Sequence, residues 1–493
     1  MGLSNFVKSI QNIMRDDHGV NGDAQRIEQM VWLLFLKVYD AKEELWELHN
    51  SKYKSIIPEK LRWRNWAHDK KDGKTLTGEA LLDFVNNKLF PGLKKIEVDE
   101  NTSMNKIIVR TAFEDNNNYM KSGILLRQVI NVIDEINFED YEDRHAFGEI
   151  YETILRSLQS AGNSGEFYTP RAVTDFMTAM IAPKLGEKIA DFACGTGGFL
   201  TSVLKYLDGQ VKTKKDKEIY NNSIFGVEKK ALPHLLCVTN MLLHDIDNPV
   251  IIRGNSLEKN MREYRETDKF DIVLMNPPYG GNELDGIKIN FPADLRSSET
   301  ADLFMSVIMY RLKKNGRAAV IIPDGFLFGT DNAKTAIKAK LLTEFNLHTI
   351  IRMPRSVFAP YTSITTNILF FDKTEPSKTV WIYRLDMPED YKNFSKTKPM
   401  KLEHFAPVIE WWKKRKPINE DGFDKAAKYS VKEIVDRNYN LDLCGYPREE
   451  EEILPPLELI AQYQEKRAKL NKEIDNILQK VTAILGTGHE QEK

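Results

Sequence analysis

The chain has 493 residues, 42% hydrophobic and 29% charged, enough to bury two or three globular cores. A net charge of −2 argues against a protein that grips duplex DNA alone through many phosphate contacts, and points to a local groove or to a partner that supplies much of the hold. No apolar run reaches the ~18 residues of a transmembrane helix, and the start Met-Gly-Leu-Ser-Asn-Phe carries neither a signal nor a myristoylation pattern. Cys194, Cys237 and Cys444 lack paired spacing, which excludes a disulfide framework or a cysteine zinc site and fits a reducing cytoplasm.

Residues 1–160 read as a helical amino-terminal domain. Ile27, Met30, Val31, Leu34, Phe35 and Val38 recur at helical spacing and define one buried face, with Asn21 or Asp23 as its N-cap. Leu126, Val129, Ile130, Ile133 and Ile136 mark a second helix, and Phe147, Ile150, Tyr151, Ile154, Leu155 and Leu158 a third. Trp63-Arg-Asn-Trp66 reads as packing between helices, with a basic-aromatic nucleic-acid surface as the alternative.

Ser160-Ala-Gly-Asn-Ser-Gly165 then breaks the pattern. Over 161–375 short apolar runs alternate with helical segments, and strands are expected at 189–193, 224–227, 250–252, 271–275, 318–322, 349–351 and 367–371. That rhythm makes the chain α/β, with a mostly parallel, Rossmann-like doubly wound sheet covered on both faces. The extension 376–454 is expected to be polar and strand-poor, with minor elements at 383–391 and 429–439. The last segment, 455–493, opens at Pro455-Pro456. Its Tyr463, Leu470, Ile474, Ile477, Val481 and Ile484 form a narrow apolar seam, suited to pairing with another helix or to packing on the chain's own catalytic domain.

The most informative stretch is Asn276-Pro277-Pro278-Tyr279, directly after the apolar run Phe270–Met275. A stiff turn at the carboxyl end of a buried strand suits methylation of a planar exocyclic amine such as adenine N6. The amine's lone pair is delocalised into the ring. An Asn side-chain oxygen and a backbone carbonyl that accept its two N–H bonds favour a more tetrahedral, nucleophilic nitrogen. Prolines fix φ and remove donors, and the aromatic ring can stack on the base. By itself the tetrapeptide is also an ordinary strand-ending turn.

Asp191-Phe-Ala-Cys-Gly195-Thr196-Gly197-Gly198 follows the first expected strand and opens a helix. Its glycines let backbone approach a ligand, and its spacing is not that of a dinucleotide fingerprint. No phosphate-binding lysine accompanies it, so a ligand with an amino-acid end, such as S-adenosyl-L-methionine, suits it. Glu228 ends the next strand, where a carboxylate can accept both ribose hydroxyls of a nucleoside. It lies 37 residues after Asp191, beyond the ~20 of a compact unit, with the Lys-rich segment 208–222 as the insertion responsible. Asn255 is placed to contact the cofactor's adenine edge or to serve as a turn residue. Upstream, Glu166-Phe167-Tyr168-Thr169-Pro170-Arg171 precedes a helix, with Pro170 expected at its first position and Phe167 or Tyr168 as a pocket wall. In a doubly wound sheet the first and fourth strands are neighbours, so the glycine turn and Asn276 should share one crevice.

In that order, Glu-Phe-Tyr-Thr-Pro-Arg, Asp-Phe-Ala-Cys-Gly-Thr-Gly-Gly and Asn-Pro-Pro-Tyr resemble an amino-type DNA methyltransferase of the gamma arrangement. With the helical amino-terminal domain and Phe147-Gly-Glu-Ile-Tyr-Glu-Thr-Ile-Leu155, the chain is similar to the modification subunit of type I restriction-modification systems over nearly its whole length. The resemblance implies that Glu166 to Arg171, Thr196 to Gly198 and Glu228 bind S-adenosyl-L-methionine, and that Asn276 to Tyr279 hold a flipped adenine. It also implies double-stranded DNA as substrate and a separate specificity subunit that reads the sequence. Two copies of the modification subunit would clamp the DNA, and a motor-nuclease subunit joins in systems that restrict. Only about 20 residues separate Tyr279 from Ala301, too few for a target-recognition domain of about 100 residues, and the terminal seam is then a docking element for the specificity subunit. Cytosine C5 chemistry, which needs a Pro-Cys dipeptide, is out. Cytosine N4 and protein-glutamine N5 methylation use the same amine logic and stay open, as does a catalytically inert architectural subunit.

Overall fold

The structure is a computed structural model that describes residues 3–69, 74–99, 102–136, 151, 168–359, 361–446 and 456–487. The chain divides into two units, Met1–Gly445 and Tyr446–Lys493.

The first unit begins with helices α1 (Leu3–Arg15), α2 (Gly22–His49), α3 (Met104–Glu114) and α4 (Gly123–Asp134). All six apolar positions expected on α2 are buried, and Asn21 is its N-cap residue. In α4, Leu126, Val129, Ile130 and Ile133 are buried, while Ile136 lies beyond the helix end. Trp63 and Trp66 are buried edge to face against each other, and Trp63 Nε1 donates to Asp134 Oδ1 at 2.7 Å. The alternative of a nucleic-acid surface on these rings is therefore wrong: both are core. The third expected helix, 147–158, lies outside the described residues except for Tyr151, whose hydroxyl donates to the Leu236 carbonyl.

Next come α5 (Arg171–Ile181), α6 (Gly198–Asp208), α7 (Lys214–Asn221), α8 (Ala231–Leu243), α9 (Thr300–Arg311), α10 (Asn332–Thr343) and α11 (Ala406–Lys414). Among the described residues the strands are β1 (Ile189–Asp191), β2 (Ile224–Glu228), β3 (Val250–Arg253), β4 (Phe270–Met275), β5 (Leu312–Pro323), β6 (Asn346–Arg352), β7 (Thr366–Asp372), β8 (Thr379–Arg384), β9 (Ile418–Glu420) and β10 (Phe423–Ser430). They form one sheet in the order β3-β2-β1-β4-β5-β7-β6-β8-β10-β9. The run from β3 to β5 is parallel and β7 is antiparallel to both its neighbours.

Strand alternation explains the two-sided core. Ile272 and Leu274 of β4, with Ile368 and Phe370 of β7, join the apolar cluster that contains α5, α6, α8 and the amino-terminal helices. Their neighbours Val273, Met275, Leu369 and Phe371 point to the opposite face, under α9 and α10. The amino-terminal domain is tied to the sheet through Lys42 to Asp245 at 2.5 Å, Asn105 Nδ2 to the Asp247 carbonyl at 2.9 Å, and Arg253 to Asp115.

Two expectations need correction. The segment after residue 375 is not strand-poor: β8 pairs parallel with β6, and β10 and β9 extend the same sheet. β9 and β10 are polar and bury only Ala426 and Ala427, whereas β8 carries a short apolar run, Val380–Tyr383, with Val380, Ile382 and Tyr383 buried. Likewise β5 starts at Leu312 rather than Ala318, through Lys-Lys-Asn-Gly-Arg. In the second unit, α12 spans Pro456–Thr487. Along it, Tyr463, Leu470, Ile474, Ile477 and Val481 are each at least 46% exposed.

Candidate active site

The site is built at the carboxyl ends of β1, β2, β3 and β4. Ile189 and Ala190 of β1 pair with Ile272 and Val273 of β4, so the glycine turn and the Asn-Pro-Pro-Tyr turn leave adjacent strands on the same edge of the sheet.

The glycine turn is tied down along its length. Asp191 Oδ1 accepts from Ala193 N at 3.0 Å, and Cys194 N donates to the Val227 carbonyl. Gly195 N donates to Glu228 Oε2 at 2.9 Å, and Asn240 Nδ2 reaches the Thr196 carbonyl. Gly195 (φ 53°) and Gly197 (φ 85°) occupy left-handed backbone that glycine adopts without strain. Burial pushes the Asp191 carboxyl up to about 8, with Glu228 adding a smaller repulsion. Cys194 and Cys237, 43 residues apart in sequence, meet with their sulfurs 3.8 Å apart beneath this turn. That contact and burial raise the Cys194 thiol. Nothing in their spacing announced the pairing.

The upstream motif reaches both turns. Thr169 Oγ1 accepts from Asn276 Nδ2 at 3.1 Å, which is a different task from starting a helix. Pro170 is the N-cap residue of α5 rather than its first helical residue. Arg171 donates to the Gly198 carbonyl at 2.8 Å and to Thr201 Oγ1, clamping the start of α6. Tyr168 packs on Tyr361 with ring centroids 6.2 Å apart. Glu166 and Phe167 lie outside the described residues.

In the catalytic turn the Tyr279 hydroxyl donates to Asn276 Oδ1, and burial pushes that phenol well above its usual range. Pro277 is buried and Pro278 exposed. Phe358 lies edge-on to Tyr279, with centroids 6.4 Å apart at 88°. Sequence reasoning missed Phe358 and Tyr361. They come from the β6–β7 connection, where the aromatic-proline run Val357-Phe-Ala-Pro-Tyr361 between two buried strands was the available signal.

A nucleoside sulfonium fits the residues present. Glu228 Oε2 accepts from Gly195 N and Oε1 from Lys230 N, which fixes the carboxylate at the end of β2, where a ribose diol can meet it. Asn255 Oδ1 accepts from Leu257 N, while its buried Nδ2 has no hydrogen-bond partner among the described residues, a donor suited to an adenine ring nitrogen. A Cβ built on Gly195 or Gly254 would meet nothing within 4 Å, so the turn borders open space. No group of three or more metal-ligating side chains occurs among the described residues.

A glycine turn after β1 beside an Asn-Pro-Pro-Tyr turn after β4, on this strand order, defines a Rossmann-like methyltransferase domain. The N-6 DNA Methylase family matches residues 142–453, and the HsdM N-terminal domain family matches residues 3–133. The chain is 49% identical over 494 aligned residues to the type I restriction enzyme EcoEI methylase subunit of Escherichia coli, covering 99% of each. Among solved structures it is similar to a modification subunit assigned to a type I restriction enzyme of Vibrio vulnificus YJ016, with a TM-score of 0.79 and 40% identity over 90% of this chain and 96% of that one. A chain from a structural study of type I R-M complex assembly and conformational transition gives a TM-score of 0.78 and 34% identity, over 100% and 99%. The chain belongs to the methylase (HsdM) subunit family of type I restriction-modification enzymes, within the adenine-N6 DNA methyltransferases. The cytosine-N4 and protein-glutamine alternatives gain no support from these matches. No helix among the described residues is long and apolar enough to cross a membrane.

Proposed function

We propose that this subunit methylates N6 of an adenine flipped out of double-stranded DNA, with S-adenosyl-L-methionine as donor, while a separate specificity subunit selects the sequence. When bound, the donor supplies an electrophilic methyl group on a sulfonium. This chain's own residues do the rest. Asp191, Gly195 to Gly198, Glu228, Asn255 and the Glu166–Arg171 motif cradle the nucleoside and amino-acid ends. Asn276 Oδ1 and a backbone carbonyl of the same turn accept the two N–H bonds of the target amine, localising its lone pair. The Tyr279 ring stacks on the base, and the two prolines hold the acceptors in place.

One observation carries the reading. Thr169 takes the Asn276 amide nitrogen, which leaves Oδ1 as the acceptor turned toward an incoming donor, a place now held by the Tyr279 hydroxyl. The net charge of −2 supports a partner that shares the grip on DNA. The exposed apolar residues of α12, with the multi-subunit type I R-M assembly of a similar chain, support docking of 455–493 on helices of the specificity subunit. The same reading carries two modification subunits per complex, a motor-nuclease subunit where restriction accompanies modification, and residence in the cytoplasm.

The test is reconstitution with the cognate specificity subunit, radiolabelled donor and duplex DNA, followed by mapping of the modified base. Label on adenine N6 that vanishes in Asn276→Ala is the expected result. Label on cytosine or on protein would overturn it. If deleting 455–493 leaves association with the specificity subunit intact, the docking role is wrong.

A further inference from the structure

The segment after Tyr279 does not simply return to α9. Its start is pinned there: the Gly281 carbonyl accepts from Thr300 N at 3.1 Å and Thr300 Oγ1 at 2.7 Å, and Asn282 forms a β-bridge with Glu299. Its far end is pinned to the loop after β3. Asn290 Nδ2 donates to the Glu258 carbonyl at 2.8 Å and the Leu257 carbonyl at 3.3 Å, and Met261 N donates to the Asn290 carbonyl at 3.0 Å. Between the pins, Glu283 Oε1 lies 3.5 Å from Lys229 Nζ, the residue that follows Glu228.

The sheet order turns these contacts into a path. A segment that leaves β4, touches the residue after β2 and ends on the loop after β3 must cross the carboxyl end of β1 in the order β3-β2-β1-β4. The glycine turn sits there. Each contact also neighbours a residue assigned to the cofactor or the target base: Gly281 follows the catalytic turn, Lys229 follows Glu228, and Leu257 lies two residues after Asn255.

We propose that residues 281–290 are a strap across the cofactor crevice, and that the Lys229–Glu283 ion pair is its latch. The latch sets how fast S-adenosyl-L-methionine and its demethylated product leave. This rests on the reading that the crevice binds that donor. The two ends are held by several hydrogen bonds to backbone, whereas among the described residues the centre, 283–288, is held by the packing of Ile287 on the core under α9 and by one ion pair, whose lysine is 62% exposed and whose glutamate is 14% exposed. The centre therefore opens first, and salt weakens it. Gly280, at φ 71° with no heavy atom within 4 Å of a built Cβ, provides the pivot before the first pin. Lys229 and Glu283 are positioning residues: neither needs to touch the reacting atoms.

The experiment measures dissociation of radiolabelled S-adenosylmethionine and S-adenosylhomocysteine from the full chain by rapid dilution, at low and moderate salt. Lys229→Ala and Glu283→Gln should each speed release by about two- to fivefold and flatten its salt dependence. The double exchange Lys229→Glu with Glu283→Lys should return the rate toward that of the parent, which a merely destabilising pair of changes would not do. A parent chain that binds the donor, with single variants that release it at the parent rate, overturns the strap alone. So does faster release in the singles without recovery in the exchange. A parent chain that binds no S-adenosylmethionine overturns the site reading and the strap with it.

Discussion

Two turns leave neighbouring strands of this sheet, and they are held in opposite ways. The glycine turn after β1 is fastened through its backbone: the amides of Ala193, Cys194, Gly195 and Gly197 all donate within the protein, and the carbonyls of Thr196 and Gly198 accept from Asn240 and Arg171. In the catalytic turn after β4, the contacts that matter run between side chains, from Tyr279 to Asn276 and from Asn276 to Thr169, while two prolines withhold donors. The first turn is a preformed cradle. The second holds its acceptor in a hydrogen bond that a substrate amine can replace without disturbing the backbone.

The largest expected effect falls on the second turn. Asn276→Ala removes the side-chain acceptor for the target amine and should lower turnover by about 10²- to 10³-fold, the usual cost of one preorganised polar partner. Donor binding, which uses the other turn, should persist. Unchanged modification by the reconstituted complex would reduce the chain to an architectural subunit. On the first turn the damage should be to the fold. A Cβ at Gly197 would lie 2.9 Å from Cys237 Sγ on backbone with φ 85°, so Gly197→Ala should cost about 1–3 kcal/mol in urea unfolding. Cys237→Ala should recover the part due to Sγ and leave the part due to φ and to Met241 Cε at 3.1 Å. Full recovery would mean that the left-handed backbone is not under strain.

A pH-dependent difference sharpens the contrast further. The folded chain keeps Asp191 protonated up to about 8, against an ordinary value of 3.8. In the window between, the folded state binds the extra proton. The resulting stabilisation is complete below the unfolded value and is lost as pH rises through the folded one. Asp191→Asn should therefore flatten the fall in thermal midpoint that the parent is expected to show between about pH 5 and pH 9, with its relative gain largest at the alkaline end. Parallel curves for the two proteins would mean that the carboxyl ionises freely in the fold.

How much of this was readable in advance depended on periodicity. The α2 face and the alternating core residues of β4 were legible because burial on a helix or in a doubly covered sheet imposes a spacing on apolar residues. The adjacency of the two turns followed from topology, once seven of the strands were placed. β8 had a readable signal in Val380-Trp-Ile-Tyr383, but the strands beyond it did not: β10 reads Phe-Asp-Lys-Ala-Ala-Lys-Tyr-Ser, with only Ala426 and Ala427 buried. Outer strands of that kind keep charges that discourage edge-to-edge pairing. Phe358 and Tyr361 come from an irregular connection, and the Cys194–Cys237 contact joins a strand end to a helix, so neither had a spacing to betray it.

The smallest expected effect is the most discriminating between the two turns. Tyr279→Phe keeps the ring and its edge contact with Phe358 but removes the hydroxyl that donates to Asn276. If that hydroxyl only holds the place of the substrate amine, its loss frees an acceptor before DNA arrives, and kcat/KM should change by no more than about threefold, within the net worth of one neutral hydrogen bond. Tyr279→Ala should lose about tenfold or more, because stacking on a base is worth ~1–3 kcal/mol. A large loss in the phenylalanine variant would instead make the hydroxyl part of the chemistry. The catalytic turn would then be as fixed in its hydrogen bonding as the glycine turn beside it.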